Sequence, residues 1–438
     1  MYVYLLVYIL LIIGFSLYLS RSSSAEDFLI GGRNRGGLTI LFSKFAGAVG
    51  VSTLISYTGY AYRFGVGMSG MLVGAVIGYA LFAFWAAPRV KRLSLEGQFY
   101  TQGDLPAHLT QDKRSARLTN GVTTVVQFFW IVLSLAGGAK IIAYFDLFSY
   151  ETALLLTTGV VMVYVLVSGF KAVVMTDVVQ AVIILAFLGL LVYGMTRGES
   201  VDALLRIPTG EHVTLGSIIG LVLYGGLSVF GLADRYQLCY AARDEQSLKR
   251  GMGLAIVPVL IIAFLLLLLG LQVYRLDTSL DPDMVFVYAT QNLMDTSWLP
   301  ALLVLFFAGL MSTADSAIFA VASHVTGGVS SDKRVNSVRY ATVITVVLAF
   351  GIAWFWRSIV DITIVGAALR MTLAVAMIYV IGGHQNKGRF MGSAMGGVLG
   401  LLIGLAIFGA KPTIAIVVLV GSLLGLLYRS KKVEVREV

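Results

Sequence analysis

The sequence predicts an all-α integral membrane protein of about thirteen transmembrane helices. Its composition is 58% hydrophobic and only 13% charged over 438 residues. The mean hydropathy of +0.88 lies far outside the range of soluble domains. The apolar residues also come in segments of roughly 17 to 30 residues, long enough to cross a hydrocarbon core about 30 Å thick as helices. Alternating ten-residue strands are absent, which argues against an outer-membrane barrel.

The segments fall near 2–20, 38–62, 68–87, 119–145, 151–169, 172–195, 214–233, 251–274, 297–326, 337–356, 359–382, 391–409 and 412–428. The first has no cationic region before it and no small-residue cleavage site after "LYLS", so it is expected to be a retained helix rather than a signal peptide. Basic residues set the orientation. The loop from Pro88 to Leu118 carries Arg89, Lys91, Arg92, Lys113, Arg114 and Arg117, and the loops at 234–250 and 331–339 and the tail "YRSKKVEVREV" are basic too. Loops of the other parity, such as "RLDTSLDPDM", are neutral or acidic. The basic set is therefore expected in the cytoplasm, with the N-terminus outside and the C-terminus inside.

The net charge of +9 is on this reading topogenic, and no nucleic-acid partner is expected. The single cysteine, Cys239, cannot form an internal disulfide, and His108, His212, His324 and His384 are scattered, so neither a thiol nor a transition-metal site is expected. No loop exceeds about thirty residues, which leaves no room for an appended soluble domain. The working parts must lie in the membrane.

Two spans differ from their neighbours. "FSKFAGAVGVSTLISYTGY" interrupts a helical run with Gly47, Gly50, Ser52 and Thr53, and "LVLYGGLSVFGLAD" does so with Gly225, Gly226, Ser228 and Gly231. Glycine-interrupted helices at matching positions of two halves, offset by an odd number of spans, point to an inverted-repeat transporter that binds substrate and ions where the helices unwind. The stripes Gly70, Gly74, Gly78 and Gly396, Gly400, Gly404 read instead as close helix packing.

Several stretches, in order along the chain, resemble the sodium:solute symporter family of sodium-coupled sugar, proline, pantothenate and sialic acid carriers. They are "AEDFLIGGRNRGG", "AVGVSTLISYTGYAYRFGVG", "AGGAKII", "GFKAVVMTDVVQAVI", "DRYQLCYAARDEQSLKRG" and "AGLMSTADSA". The resemblance implies a five-plus-five inverted-repeat, LeuT-like core with discontinuous core helices 1 and 6. The corresponding division is 1–36 for an extra N-terminal helix and loop, 37–196 and 197–383 for the two repeats, and 384–438 for two extra helices and a short tail.

Within "AGLMSTADSA", Gly309, Ser312, Thr313 and Ser316 recur at helical spacing and share one face. Hydroxyls there can bond back to a carbonyl one turn earlier, or can offer oxygen to a hard monovalent cation together with carbonyls freed by an unwound helix. The resemblance implies the second arrangement: a sodium site of Ala48, Val51, Gly309, Ser312 and Thr313.

Asp177 and Asp315 are intramembrane carboxylates, each costing roughly 2.5–3.5 kcal/mol even on a lenient insertion scale, so each should have a partner. Asp177 matches an aspartate that contributes to a second sodium site in some family members; with Asp315 and Ser316 it either forms such a site or shares a proton. In those members the positions matching 315 and 316 carry hydroxyls, so Asp315 is a departure from them. Solvation of Asp177 at the cytoplasmic end is the plainer alternative.

Arg370, mid-span in "VGAALRMTLAV", either pairs with Asp361, Asp177 or Asp315 or clamps a substrate carboxylate. Trp130 aligns with an aromatic that lines the substrate cavity of proline carriers, and Ser52 and Ser228 sit at the helix breaks, which makes these four the substrate-binding candidates. Lys44 and Lys140 are expected to snorkel toward opposite membrane faces. Gly50 stands where proline carriers have an acidic residue and sugar carriers a polar one, so no individual substrate follows.

The expected function is inward symport of a small polar solute, an amino acid or organic anion, with Na+ as coupling ion. A proton-coupled symporter of the same fold and a transporter-like solute sensor are the alternatives. No nucleophile with a base is evident, so no enzyme is expected.

Overall fold

Backbone amides in lipid have no water to bond, and an apolar run this long can satisfy them only within itself. The computed structural model describes residues 2–20, 30–145, 148–167, 170–195, 201–206, 213–293, 298–326 and 331–428, and these are helical apart from short connections. Extended pairing among them is limited to one parallel bridge, Arg35 to Ala242. Part of "AEDFLIGGRNRGG", His212 and the tail beyond Tyr428 lie outside the described residues.

The main helices are α1 (Tyr2–Ser20), α2 (Gly37–Ala46), α3 (Val51–Phe64), α4 (Ser69–Leu81), α5 (Lys113–Tyr144), α6 (Tyr150–Val167), α7 (Phe170–Met195), α8 (Leu215–Leu227), α9 (Ala233–Ala241), α10 (Glu245–Leu276), α11 (Leu299–Val325), α12 (Ser331–Phe355), α13 (Val360–Ile381), α14 (Lys387–Phe408) and α15 (Ile414–Gly425). Several begin at polar caps: the side chains of Asp112, Thr214, Asp244 and Asn386 accept from backbone amides of the first turns of α5, α8, α10 and α14. By length and composition, 8 described helical runs can cross a membrane, or 9 counting α8 with α9 as one bent span. Four shorter apolar helices lie over Val3–Leu19, Gly37–Ala46, Tyr150–Leu166 and Ile414–Gly425.

Both glycine-interrupted spans are broken. The first stops at Gly47 and resumes at Val51, with Gly50 extended. The second bends by 47° across Ser228–Leu232. Gly225 and Gly226 are not themselves the break, because the helix runs straight through them. Those glycines serve packing: a Cβ on Gly225 would overlap the Met71 carbonyl, and a Cβ on Gly78 the Gly226 carbonyl. The stripe on α4 thus brings its backbone against α8, and that of α14 meets Gly421 and Val417 of α15 in the same way.

Burial separates the centre from the periphery. In α11 and α13 the apolar window is 83% buried, against 33% in α12, so the first two form the middle of the bundle and the last presents most of its surface outward. Phe286 and Phe306 pack edge to face within the largest apolar cluster, which also takes in Phe45, Val49 and Val51 around the first helix break.

Candidate functional site

The first break lies directly against α11. A Cβ on Gly50 would overlap the Thr313 hydroxyl and stand 3.2 Å from the Gly309 carbonyl, and one on Gly309 would stand 3.2 Å from the Val49 carbonyl and 3.4 Å from the Val51 amide. Two backbones therefore approach at a seam where Gly50 leaves no room for a side chain and Gly309 only a tight one. Of the five predicted sodium residues, Val51 and Gly309 meet in this seam, while Ala48, Ser312 and Thr313 line the cavity beside it. The Ala48 carbonyl accepts from Thr53 at 3.1 Å, leaving a lone pair.

Back-bonding does not occupy the two α11 hydroxyls. Ser312 donates to Asp177 at 2.6 Å, and the buried Thr313 hydroxyl has no hydrogen-bond partner among the described residues. A buried hydroxyl without a partner costs free energy in a protein interior. Set beside backbone carbonyls, it is an oxygen available to a hard cation.

Asp177 is 1% exposed, which corrects the alternative of a solvated carboxylate. Its second oxygen accepts from Ser43 of α2, also at 2.6 Å, so one carboxylate ties α7 to both α2 and α11. Asp315 is fully buried beside Asp177 and Tyr164, and the Tyr164 hydroxyl is bonded to Thr176 of α7. One Asp315 oxygen accepts from the Ser316 amide, and the other has no hydrogen-bond partner among the described residues. Ser316 also lines the cavity, with Ser312. Asp177 and Asp315 are neighbours, as the second-cation and shared-proton readings both require.

The cavity itself lies between the two broken spans. Trp130, Ser228 and Arg370 line it as predicted. Ser52 does not: it is wholly buried in the first turn of α3, and its neighbour Thr53 faces the cavity. One residue along a helix is about 100° of rotation, enough to exchange the faces.

Arg370 stacks its guanidinium 4.8 Å from the centre of the Trp130 ring and donates from Nε to the Gly366 carbonyl at 3.3 Å. The carboxylates suggested as its partners are engaged elsewhere. Asp361 pairs with Arg63 at 2.7 Å, Asp177 with two serines, and Asp315 with the Ser316 amide. Neutralisation by one of those three is therefore not what holds Arg370.

Other residues at the site were not anticipated. Tyr57, Tyr60, Tyr79 and Tyr224 add an aromatic wall, and Arg235 and Asp234 form a salt bridge at its edge. The sequence places Arg235 in the basic loop 234–250; it is instead 3% exposed in α9, the second half of the bent span. Lys44, expected to snorkel, is 2% exposed with its ammonium 4.2 Å from the centre of the Tyr79 ring. Lys140 pairs with Asp283 at 2.7 Å, which spends its charge on protein rather than on the membrane surface. Three or more His, Cys, Asp or Glu side chains that could hold a metal ion together do not occur among the described residues.

Comparison with known proteins accords with this geometry. Residues 28–400 match the model of the sodium:solute symporter family. The chain is 26% identical over 372 residues to the high-affinity proline transporter PutP of Bacillus subtilis, covering 79% of this chain and 78% of that protein. It is 26% identical over 379 residues to the sodium/pantothenate symporter of Haemophilus influenzae, covering 78% and 76% respectively. A Na+-coupled sialic acid symporter solved in a substrate-bound outward-open state superposes with a TM-score of 0.78 at 14% identity, over 98% of this chain and 97% of that one. Mhp1, a nucleobase-cation-symport-1 family transporter in a closed conformation, gives 0.63 at 14% identity over 91% and 92%. At these identities the structural likeness speaks for the fold, whereas the family match spans most of the sequence, and the chain therefore belongs to the sodium:solute symporter family.

Proposed function

We propose that the protein couples inward sodium movement to uptake of a small polar organic solute, an amino acid or organic anion, by alternating access. The observation that carries this reading is the seam between Gly50 and Thr313, where an unpartnered hydroxyl of α11 meets the broken backbone of the first interrupted span. Ala48, Val51, Gly309, Ser312 and Thr313 hold the sodium. Trp130, Ser228 and Arg370 face the solute.

The ion joins α3 to α11 and completes the wall on which the solute rests, so each ligand raises the affinity of the other by the same factor. One charge moved through 100 mV is worth about 2.3 kcal/mol, enough for roughly 40-fold accumulation. The full architecture in this reading is about thirteen spans, an N-terminus outside and a C-terminus inside the cell membrane, and inverted repeats over 37–196 and 197–383. The lipid bilayer is the solvent of the whole assembly. Family membership supports a carrier rather than an enzyme.

The pairing of Asp177 with Asp315 favours a second reading for part of the cycle: with Ser316 they take a second cation, or a proton in its place. The first experiment is sodium-dependent thermal stabilisation of the purified protein, wild type against Ser312→Ala with Thr313→Ala, with potassium replacing sodium at fixed ionic strength. Stabilisation that grows with sodium and disappears in the double variant is expected. A wild type indifferent to sodium, with uptake that follows a pH gradient, would transfer the coupling to the aspartate pair.

A further inference from the structure

We infer that the solute is an organic monocarboxylate with an apolar or aromatic body and no compensating ammonium, its carboxylate held by the two terminal nitrogens of Arg370. This rests on the symport reading above and narrows it, since an amino acid would bring both charges.

Arg370 is the first ground. It is 8% exposed, it lines the cavity, and its guanidinium has no carboxylate partner among the described residues. An arginine keeps its charge in a protein interior, and a buried charge without a counter-ion is costly. Its geometry is already that of a receptor. Nε is used on Gly366, Trp130 holds the guanidinium plane, and the terminal nitrogens remain as a fork of the kind that takes a carboxylate in two parallel hydrogen bonds.

The charge distribution of the lining favours a monoanion over a zwitterion. Arg370 and Arg235 line the cavity, and Lys44 lies behind Tyr79 with no hydrogen-bond partner for its ammonium among the described residues. Against the two cations that line the cavity, the lining has one carboxylate, Asp234, and it is bonded to Arg235. Asp177 and Asp315 are not part of that lining. At the lining a substrate ammonium would meet like charge and no free carboxylate, and sodium at the α11 seam would add a further positive charge.

The walls define the rest of the molecule. Tyr57, Tyr60, Tyr79, Trp130 and Tyr224 offer ring surfaces suited to a planar or apolar body. A Cβ on Gly231 would overlap the Arg370 carbonyl, so the break in the second interrupted span rests on the backbone of the anion-binding residue.

The test uses the purified full-length protein in sodium at matched ionic strength, with thermal stabilisation as readout. The probes are acetate, hexanoate and phenylacetate, the uncharged amide phenylacetamide, and the zwitterions phenylalanine and proline. At least one carboxylate is expected to stabilise the protein where phenylacetamide and the zwitterions do not, and Arg370→Gln to weaken that response by about 10- to 100-fold. The inference is overturned if a zwitterion or the amide stabilises as well as every carboxylate, if none of the carboxylates acts, or if the carboxylate response survives Arg370→Gln. Should that variant fail to fold, the contrast between phenylacetate and phenylacetamide on the wild type decides alone. The shift produced by sodium without solute separates the two readings. A wild type that responds to sodium and ignores carboxylates sinks only the substrate class, whereas one that ignores sodium sinks the coupling.

Discussion

Gly50 and Thr313 occupy the same space to within one carbon atom: a Cβ on the glycine would overlap the threonine hydroxyl. Gly50→Ala must therefore turn the Thr313 hydroxyl aside or push the break of the first span away from α11. The overpacking is expected to cost about 1–3 kcal/mol and, because it displaces the oxygens proposed for sodium, to weaken sodium-dependent stabilisation by more than about tenfold. A sodium titration by thermal shift reads both effects. An unaltered sodium midpoint would place the ion elsewhere.

Asp177 receives two hydroxyl donors, Ser43 and Ser312, at equal distance. Removing either leaves a buried carboxylate one bond short, which should destabilise the protein by about 1.5–3 kcal/mol. Only Ser312 also belongs to the sodium face of α11, so the single variants should lose similar stability in potassium while Ser312→Ala alone loses sodium affinity. Equal loss of sodium affinity in Ser43→Ala would identify Asp177 itself as an ion ligand.

Asp283 holds three groups at once. One oxygen accepts from Val360 N at 2.8 Å, and the other from Ile359 N at 2.8 Å and Lys140 at 2.7 Å. It thus caps the start of α13 and neutralises a lysine on α5. Asp283→Ala leaves a cation and two amides without partners, with an expected cost of about 3–5 kcal/mol. Lys140→Ala should cost less, because the amides keep their acceptor. Thermal unfolding of the two variants gives the order, and equal midpoints would show that the cap contributes nothing.

Glycines differ by what faces them. A Cβ on Gly78 would strike the backbone of Gly226, which has no side chain to move, whereas nothing lies within 4 Å of one on Gly121 or Gly351. Gly78→Ala is expected to destabilise by about 1–3 kcal/mol. Gly121→Ala and Gly351→Ala are expected to be neutral or to gain up to about 1 kcal/mol from helix propensity. If all three behave alike under thermal denaturation, the α4–α8 contact is not the tight one described.

The helical class and the two broken spans were legible because both follow from local pattern. Run length and hydropathy make a membrane helix, and glycines where one is interrupted mark its weak point. The α11 face was legible for a similar reason, since Gly309, Ser312, Thr313 and Ser316 share a side through helical periodicity alone. Arg370 and Trp130 were each recognisable as out of place in lipid. Their stacking on one another was not, because they belong to α13 and α5, and nothing near either residue names the other.

Lys44, Arg235 and Ser43 show where sequence reasoning stopped. A lysine or arginine near a span end reads as a topological signal, and at the surface of a bundle that would be right. Tyr79 of α4 lies over Lys44 and beside Arg235, turning two apparent surface charges into buried ones at the cavity. Ser43 had no signal at all, since a lone serine in a membrane helix ordinarily bonds within its own turn. Gly225 and Gly226 misled in the opposite direction, for a packing glycine and a breaking glycine look the same until the facing backbone is known.

By itself the sequence determined the helices, the interruptions and the polar face of α11, because in lipid a backbone must satisfy its own hydrogen bonds locally and side-chain faces follow from the 3.6-residue turn. Only the tertiary structure decided the partners: Asp177 with Ser43 and Ser312, Arg370 with Trp130, Lys140 with Asp283. Those pairings join residues far apart along the chain, and their energies depend on which helices meet and at what rotation, which no local pattern records.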